Sequence, residues 1–360
     1  MYRMLGLMSG TSLDGLDLCR CDLTVDGERP TWRYRILRAA TVPYPPEWRE
    51  RLDGAIASPP EALGPLDRDY GAYLAGVAND FLADDEADVV VASHGHTVHH
   101  EPARGYTRQI GDPATLARGT GRRVVADFRR LDVRLGGEGA PLVPLADRLL
   151  FGAAAACVNL GGFANLSYES VGRRLAADVT VCNLLLDRLA ARRGLRYDPG
   201  GRLASGGQAD APLARELAAD PFFARAPPKS LGREWFEAAV WPRFSRKLDD
   251  GTLSVEDALA TAVAHVSTQL AASLRAAPPG EVLVTGGGAH NVYLLEGLRQ
   301  NLPAGMTLAP VSDLLVDYKE ALAFALLGAL RLRGETNVLS SVTGARRDSS
   351  SGTVVEPALG

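Results

Sequence analysis

Residues 6–15 read GLMSGTSLDG, a run of small and hydroxyl-bearing residues between two apolar segments. The segment before it predicts a strand from Arg3 to Met8, and Leu16 to Val25 predicts a second strand that pairs with the first as a hairpin. Glycines in such a loop accept positive φ and let other atoms approach the backbone closely. The stretch is therefore either a tight polar hairpin or a loop that cradles phosphate oxygens with N–H and hydroxyl groups.

The elements that follow this hairpin repeat once along the chain. The first group continues with a strand at Trp32–Ala39, two helices, a buried strand at Asp88–Ala92, a helix at Pro113–Arg118 and a strand at Arg123–Ala126. The order β-β-β-α-β-α-β then restarts, with three strands between residues 154 and 177, several helices, a buried strand at Glu281–Thr285 and a last helix at Lys319–Leu332. We therefore predict an α/β protein built from two duplicated units.

Composition excludes several classes of protein. The 360 residues carry a net charge of −4 and lack a basic tract, so we expect no nucleic-acid partner and no anionic membrane partner. The longest apolar runs are too short to span a bilayer. The four cysteines lack metal-ligand spacing, which indicates reduced thiols in a cytoplasmic protein.

Lysine usage bears on how phosphate can be bound. The chain has three lysines, Lys229, Lys247 and Lys319, and every other basic residue except histidine is arginine. Since no lysine precedes Lys229, a lysine-bearing phosphate loop or a strand-borne kinase lysine near the N-terminus is excluded. Any phosphate held by residues 10–17 must be bound without lysine.

Two further positions are candidates for phosphate and metal chemistry. Gly286, Gly287 and Gly288 follow a predicted strand and precede a predicted helix, a setting in which backbone N–H groups bind anions. A triple glycine is also compatible with an ordinary loop. Asp14, in the first loop, offers a carboxylate for Mg²⁺ or its waters.

Asp178 and the histidine-rich stretch are candidates for acid–base chemistry and ligand contact. Asp178 ends a predicted strand shortly before a helix predicted from Cys182, where a carboxylate serves either as a general base or as a helix cap. Residues 93–100 contain four of the six histidines. His94 and His96 could chelate a metal, but histidines at the end of a strand more often hydrogen-bond a ligand.

Taken together, these strings resemble the anhydro-N-acetylmuramic acid kinases, bacterial sugar kinases of the actin and hexokinase-like superfamily. The resemblance covers nearly the whole chain. The motifs that carry the resemblance are residues 6–15 (GLMSGTSLDG), 93–97 (SHGHT), 109–112 (QIGD), 127–129 (DFR), 136–144 (GGEGAPLVP), 227–230 (PPKS), 232–234 (GRE), 285–291 (TGGGAHN) and 319–321 (KEA). It implies two ribonuclease H-like (actin-like ATPase) domains with a central cleft. We place them at 1–128 and 129–360, with the last helix packing back toward the first domain.

The resemblance also implies an activity. Members of the family cleave the 1,6-anhydro bond of 1,6-anhydro-N-acetylmuramic acid with water and transfer the γ-phosphate of ATP to the freed 6-oxygen. The family's catalytic base matches Asp178. The family's ATP and Mg²⁺ loop matches Gly10, Thr11, Ser12, Leu13, Asp14, Gly15, Leu16 and Asp17, with Asp14 as the metal ligand. By the same matching, the nucleotide residues are Gly286, Gly287, Gly288 and Asn291, and the sugar residues are His94, Gln109, Asp112, Arg129 and Glu320. The family pattern further implies a homodimer.

The sequence departs from the family pattern after Asp178. Family members have Asp-Thr-Gly-Pro-Gly-Asn there, whereas residues 178–183 read DVTVCN, without either glycine. His96 and Glu138 stand where the family commonly has glutamine. Two alternatives therefore stay open: an actin-fold protein that binds sugar or nucleotide without turnover, and an ATPase or phosphatase of the same superfamily with another substrate.

Overall fold

The computed structural model describes residues 1–10, 13–27, 31–83, 88–227 and 229–357. In chain order its strands are β1 Tyr2–Ser9, β2 Gly15–Asp26, β3 Thr31–Pro43, β4 Val90–Glu101, β5 Tyr106–Ile110, β6 Val124–Ala126, β7 Ala156–Leu160, β8 Phe163–Ser170, β9 Arg173–Val181, β10 Gly280–Thr285, β11 Met306–Leu308 and β12 Thr353–Val355. Its α-helices are α1 Pro46–Ala55, α2 Leu63–Phe81, α3 Pro113–Thr120, α4 Arg130–Arg134, α5 Val143–Leu150, α6 Asn183–Ala190, α7 Arg202–Ser205, α8 Ala211–Ala218, α9 Arg233–Trp235, α10 Trp241–Asp249, α11 Val255–Leu274, α12 Val292–Asn301, α13 Asp313–Arg333 and α14 Ser340–Thr343.

The chain divides into two units, and this division differs from the predicted domain boundary at residue 128. The first unit is Met1–Leu150 together with Tyr318–Gly360, and the second is Phe151–Asp317. Residues 129–150 belong to the first unit because polar contacts tie them to its C-terminal part. Lys319 Nζ lies 3.1 Å from Asp147 Oδ1, and Thr343 Oγ1 donates to Asp132 Oδ1 at 2.7 Å. All four of these side chains are buried.

Each unit contains one sheet, and the two sheets share a topology. The first unit has the order β12-β6-β4-β1-β2-β3, with β5 paired to β4, and the second has β11-β10-β7-β8-β9. In both, three consecutive antiparallel strands are followed by two strands that pair parallel to the first of the three or to each other. This repeated arrangement is that of a ribonuclease H-like domain, so the predicted fold class is confirmed.

The structure contains two strands that we did not predict from the sequence, and it extends β3, β4 and β9 by several residues beyond their predicted ends. The omitted strands are β5, which pairs with the second half of β4, and β12, which pairs antiparallel with β6. Because β5 supplies a partner for residues 96–101, β4 continues through the histidine-rich stretch instead of ending at Ala92. Strand β9 likewise runs to Val181, beyond the predicted end at Ala177.

Helix α13 packs directly on the backbone of β1 within the first unit. A Cβ atom built on Gly6 would lie 1.9 Å from the carbonyl oxygen of Ala321. One built on Gly328 would lie 2.7 Å from the Cβ of Ala92 on β4. These close approaches set the spacing between this helix and the sheet, and they explain why residues 6 and 328 are glycine.

Each sheet is covered by a hydrophobic core of its own. In the first unit Leu5, Leu7 and Leu18 pack with Tyr70 and Leu74 of α2. In the second, strands β7 to β10 pack on an apolar face of α11. Cys19, Cys21, Cys157 and Cys182 are buried free thiols. Among the described residues, every helix is too short or too polar to cross a membrane.

Candidate functional site

The loop between β1 and β2 carries the predicted ATP and Mg²⁺ residues. Thr11 and Ser12 lie outside the described residues. Leu13 has a φ of +58°, a left-handed conformation that is uncommon for leucine and turns the chain sharply before Asp14. Asp14 is exposed. The described part of the loop therefore presents backbone and one accessible carboxylate.

Three of the residues predicted to form the ATP and Mg²⁺ loop, Gly15, Leu16 and Asp17, lie on strand β2. Gly15 begins β2 and packs against β3, where an added Cβ would lie 2.5 Å from the carbonyl oxygen of Val42. Leu16 is 1% exposed and its side chain belongs to the hydrophobic core, so only its backbone is left for the predicted contact with the nucleotide, which stays a prediction. Asp17 Oδ1 accepts a 2.6 Å hydrogen bond from Thr41 Oγ1 on β3. The strand alternation that turns Asp17 outward turns Leu16 inward.

The residues of this loop are compatible with a magnesium ion whose ligands are mainly phosphate oxygens. Among the residues the structure describes, no group of three or more His, Cys, Asp or Glu side chains has the arrangement of a metal site. Mg²⁺ in phosphoryl-transfer sites is usually held by one or two carboxylates, with water and phosphate oxygens completing the octahedron. Asp14 supplies one such carboxylate beside the glycine loop, which is compatible with this mode of binding.

A buried hydroxyl network fixes the start of the same loop. Ser9, the last residue of β1, has its Oγ 2.9 Å from Nδ1 of His96 and accepts a 2.7 Å hydrogen bond from the hydroxyl of Tyr44. Tyr44 in turn contacts the hydroxyl of Tyr70. Burial lowers the pKa of His96 to about 4, so its ring is neutral. The sequence did not reveal this network because its members come from β1, β4 and two segments far from both.

His94, Gln109 and Asp112, all predicted to face the sugar, border one cavity of about 260 Å³ in the first unit, here called the His94 cavity. Gln109 Nε2 donates to Thr107 Oγ1 at 2.8 Å. Asp112 caps α3, because its Oδ2 accepts from both the backbone nitrogen and the hydroxyl of Thr115. The cavity is also lined by Ser93, Gly95, Ile110, Gly111, Pro113, Ala126, Thr353 and the charged residues Asp67, Arg108, Asp127 and Arg130.

Arg129 and Glu320 form a separate cluster with His94. Nε and Nη2 of Arg129 lie 3.0 and 2.8 Å from Nε2 of His94, and Nη1 donates to the carbonyl of Gly139 at 2.7 Å. Since Arg129 has only donors, His94 Nε2 must be the acceptor and Nδ1 must carry the proton, which it donates to Gly95 O at 2.9 Å. Burial, reinforced by the charge of Arg129, lowers the pKa of His94 well below its usual value.

The charges of the cluster partly offset one another. Burial lowers the pKa of Arg129 to about 10, while the charge of Glu320 opposes that shift. Burial raises the pKa of Glu320, and Lys319 and Arg129 oppose the rise. Both ring nitrogens of His94 make hydrogen bonds inside the protein. We therefore interpret His94 as a residue that positions Arg129 and the wall of the His94 cavity.

Asp178 is in the second unit, inside β9 instead of at its end. Its Oδ2 accepts a 2.8 Å hydrogen bond from the backbone nitrogen of Leu231, and its own backbone N–H donates to Lys229 O at 3.0 Å. Burial raises the pKa of this carboxyl group, and the hydrogen bond from Leu231 partly offsets the rise. A cavity of about 190 Å³ borders Asp178, Arg225 and Lys229.

Lys229 and Leu231 position Asp178, a role that the sequence did not reveal. Lys229 Nζ donates to the carbonyl of Phe222 at 3.2 Å and lies 4.5 Å from the centre of its ring. Burial, together with the charge of Arg225, lowers the pKa of Lys229. The lysine thus anchors the segment whose backbone pairs with Asp178. From the sequence alone, PPKS is only a polar turn.

The altered run from Asp178 to Asn183 continues the strand, where the family has a glycine turn. Thr180 and Val181 extend β9, and Asn183 begins α6. Thr180 Oγ1 lies 3.1 Å from Nε2 of His265 on α11. The ring of His265 packs edge-on against Phe223, with centroids 5.3 Å apart. A buried cross-element hydrogen bond therefore stabilises the segment that lacks the glycines.

We predict that His265 makes stability depend on acid pH. Burial lowers the pKa of His265 to about 4, below its unfolded value near 6.5, so the unfolded chain binds the extra proton first. Stability is therefore full above about pH 6.5 and falls as the pH drops toward about 4. Between about pH 7 and pH 5 the free energy of unfolding of the protein should fall by about 2 kcal/mol relative to that of His265→Gln. Urea denaturation at both pH values measures this.

Thr180→Val is the matched control for that experiment. It removes the hydrogen bond but keeps the buried imidazole, so it should lose stability at every pH and keep the acid dependence of the unaltered protein. If His265→Gln shows the same loss of stability between these pH values as the unaltered protein, the imidazole is not the group responsible.

The triple glycine lies at the end of β10 and is held by neighbouring strands. Gly286 has φ +83°, and an added Cβ would lie 2.5 Å from Oδ1 of Asn159. A Cβ on Gly288 would lie 2.7 Å from the Cβ of Leu160 and 2.9 Å from Oδ1 of Asn183. Close approach and positive φ both require glycine here. The loop is thus built against the end of β7 and the start of α6.

The helix predicted to start at Asn291 begins at Val292, after a short turn that follows the glycines. Gly287–His290 form a 3-10 turn, and α12 begins at Val292. Asn291 is its N-cap, with Oδ1 accepting from Leu294 N at 3.0 Å. Its side-chain oxygen, predicted to contact the nucleotide, is therefore engaged in capping, while its amide group is not used in that bond.

Comparison with known proteins assigns the chain to a family. The sequence profile described as anhydro-N-acetylmuramic acid kinase matches residues 2–357. An anhydro-N-acetylmuramic acid kinase of Pseudomonas putida is 40% identical over 361 residues, covering 96% of this chain and 97% of its own. One of Xanthomonas axonopodis pv. citri is 38% identical over 361 residues, covering 95% and 94%.

More distant likenesses are found among solved structures. A ROK hexokinase from Thermus thermophilus is matched over 92% of this chain and 99% of its own, with 22% identity and a TM-score of 0.37. The sequence matches are much closer and span almost the full chain. On the strength of the profile match and of these relatives, this chain belongs to the anhydro-N-acetylmuramic acid kinase family.

Proposed function

We propose that this protein is an ATP-dependent kinase that opens 1,6-anhydro-N-acetylmuramic acid with water and phosphorylates the 6-oxygen to give N-acetylmuramic acid 6-phosphate. The observation that carries the proposal is Asp178, a partly buried carboxylate fixed by the N–H of Leu231, at the position of the family's base. Membership of the family supports the substrate and the reaction class.

Asp178 acts as the general base. It accepts a proton from water as the water oxygen bonds to the anomeric carbon, and the bond from that carbon to the 6-oxygen breaks. The 6-oxygen takes the γ-phosphoryl group, ADP leaves, and the proton on Asp178 passes to solvent. Burial makes Asp178 a stronger base than an exposed aspartate, because its conjugate acid holds the proton more tightly. This is the base half of an inverting glycosidase mechanism.

In this proposal the nucleotide is bound mainly by backbone groups and by few charged side chains. Gly286, Gly287 and Gly288 form a close-packed turn. The N–H of Gly286 donates to Val316 O at 3.0 Å, so we assign the N–H groups of Gly287 and Gly288, at the start of the 3-10 turn, to phosphate or ribose. Gly10 and Leu13 frame the other candidate loop, and Asp14 would hold magnesium, which when bound neutralises charge on the transferring phosphoryl group. No lysine is required in either loop.

The first unit contributes the sugar residues. Gln109 and Asp112 line the His94 cavity and offer amide and carboxylate groups for the hydroxyls of a sugar. Arg129 and His94 hold its wall through the hydrogen bonds described above. We therefore assign direct sugar contact to Gln109 and Asp112, and positioning to His94, Arg129 and Glu320.

The proposal is tested by measuring ADP formation with ATP, Mg²⁺ and the anhydro sugar, each omitted in turn. We expect ADP to form only in the complete mixture, in a one-to-one ratio with phosphorylated sugar. ADP formation that does not depend on sugar would identify an ATPase. Sugar or nucleotide binding without ADP would identify a protein that has lost turnover. The homodimeric state implied by the family resemblance and the cytoplasmic location inferred from the cysteines stay predictions.

A further inference from the structure

Strand β5 and the second half of β4 carry four polar side chains on one face of the sheet. Thr107 and Gln109 are two residues apart on β5 and therefore point to the same side. Their partners on β4 are His100 and Thr97, which are three residues apart, but a bulge between Thr97 and His99 adds one residue and brings both to that side. The result is a row from His100 through Thr107 to Gln109, at the edge of the His94 cavity.

The hydroxyl of Thr107 has one hydrogen, which it gives to a neighbour other than Gln109. Its Oγ1 lies 3.0 Å from Nδ1 of His100 and 3.4 Å from the carbonyl oxygen of His99. If Nδ1 of His100 is unprotonated, it accepts this hydrogen, and if Nδ1 carries a proton and donates, the hydrogen goes to His99 O. In both tautomers Thr107 Oγ1 can only accept from Gln109. The Gln109 atom 2.8 Å away must therefore be the amide nitrogen Nε2 and not the oxygen.

This assignment leaves the amide oxygen of Gln109 for a ligand. Nε2 makes the hydrogen bonds that Gln109 forms with described side chains, to Thr107 and, at 3.3 Å, to Thr97. Gln109 lines the His94 cavity, whereas Thr107 does not line it and is 4% exposed. The oxygen Oε1 is an acceptor only, so it can pair with a hydroxyl or an amide N–H of a ligand and cannot pair with a carboxylate or an ether oxygen.

We propose that Thr107 is a positioning residue that fixes the Gln109 amide with its oxygen toward the His94 cavity, where that oxygen accepts from a hydroxyl or amide N–H of the sugar. This inference rests on the proposed function, because it takes the anhydro sugar as the ligand. His100 supports the arrangement, since its ring also forms a hydrogen bond with the backbone of Glu138. His100 and Thr107 thus act on the sugar through Gln109 and do not contact it.

The test is a double-mutant cycle on sugar binding, measured by calorimetric titration with 1,6-anhydro-N-acetylmuramic acid in the absence of ATP. Thr107→Val removes the hydroxyl and lets the amide turn, so we expect Kd to rise about three- to tenfold, the size of one neutral hydrogen bond. In the Gln109→Ala background the same substitution should raise Kd no further. Thr107→Ser keeps the hydroxyl and should bind sugar as the unaltered protein does. Thr24→Val, on β2 and outside the lining of the cavity, is the matched control and should leave Kd unchanged.

Binding and turnover separate this inference from the proposed function. An equal rise in Kd in both backgrounds, or no rise in either, would overturn the role of Thr107 even if ADP forms. A rise that requires Gln109 supports that role even if no ADP forms, in which case the proposed kinase activity alone fails. No binding of the sugar to the unaltered protein would overturn both.

Steady-state kinetics give a second readout of the same role. Where ADP forms, KM for the sugar should rise in Thr107→Val while kcat stays unchanged, as expected when a contact made equally in the ground state and the transition state is lost. A fall in kcat with KM unchanged would contradict the assignment. Thermal melts verify that the variants fold.

Discussion

Replacing Asp178 with asparagine should lower the rate of sugar phosphorylation by about 10²- to 10⁴-fold, the contribution expected of a positioned general base. The amide has almost the same shape as the carboxylate, and its oxygen can still accept the hydrogen bond from Leu231 N. The substitution therefore removes proton acceptance while keeping the local geometry. The Kd for ATP should not change, because ATP binding is assigned to other residues.

Asp249→Asn provides the matched control for this substitution. Asp249 is an exposed carboxylate of the same unit, paired with Arg192 at 2.9 Å and outside every candidate site. Its replacement should leave turnover unchanged. Steady-state rates and nucleotide titrations on both variants decide the outcome. Full activity in Asp178→Asn would remove this residue from the role of base.

The second large effect is expected on stability, from Gly6→Ala. The new methyl carbon would lie 1.9 Å from the carbonyl oxygen of Ala321 and 3.3 Å from the backbone nitrogen of Ala325. Both obstacles are backbone atoms of α13, so no side-chain rotation can relieve the overlap. Overpacking of a core typically costs about 1–3 kcal/mol, and we expect at least the upper end here because the helix itself must move.

Gly76→Ala is the matched control for Gly6→Ala. Gly76 is exposed in the middle of α2, and an added Cβ would meet no atom within 4 Å. The same chemical change should therefore stabilise the protein by about 0.5–1 kcal/mol, as glycine-to-alanine replacement does in an exposed helix. Urea denaturation measures both. A Gly6→Ala variant as stable as the unaltered protein would show that α13 does not pack against β1 as described.

The elements that sequence patterns predicted correctly are those defined by local features. The hairpin at residues 6–15 has turn residues between two apolar segments, and the strands at 156–160 and 280–285 are short apolar runs ended by glycines. Strand β5 escaped prediction because its three central residues, 107–109, are all polar and because it pairs only with the second half of β4. Strand β12 lies in a polar C-terminal segment and exists because β6 offers it an edge.

In the candidate site, residue identity was predictable but the supporting contacts were not. Asp178 was identifiable from the family pattern, yet its hydrogen-bond donor, Leu231, is 53 positions away. Thr180 and His265 are 85 positions apart. Such pairs depend on how the sheet brings distant segments together. Leu16 shows the limit of motif matching, because membership of the motif did not distinguish a loop residue from an inward-facing strand residue.

The lysines illustrate how local chemistry and family pattern combine. Lys229 and Lys319 fall in family strings, and both have structural partners. Lys229 bonds the carbonyl of Phe222, and Lys319 forms a buried ion pair with Asp147. Neither lies in the first glycine loop. A phosphate site without lysine therefore depends on backbone groups, on Asp14 and on a bound cation.

The reaction in ¹⁸O-labelled water tests the proposed chemistry most directly. If Asp178 activates water for attack on the anomeric carbon, the sugar product must carry one ¹⁸O at the anomeric hydroxyl, and the transferred phosphate must carry none. Mass spectrometry of N-acetylmuramic acid 6-phosphate, quenched before the anomeric oxygen exchanges, distinguishes the two positions. Label in inorganic phosphate with the anhydro ring intact would contradict the mechanism, since water would then have attacked the γ-phosphate instead of the sugar.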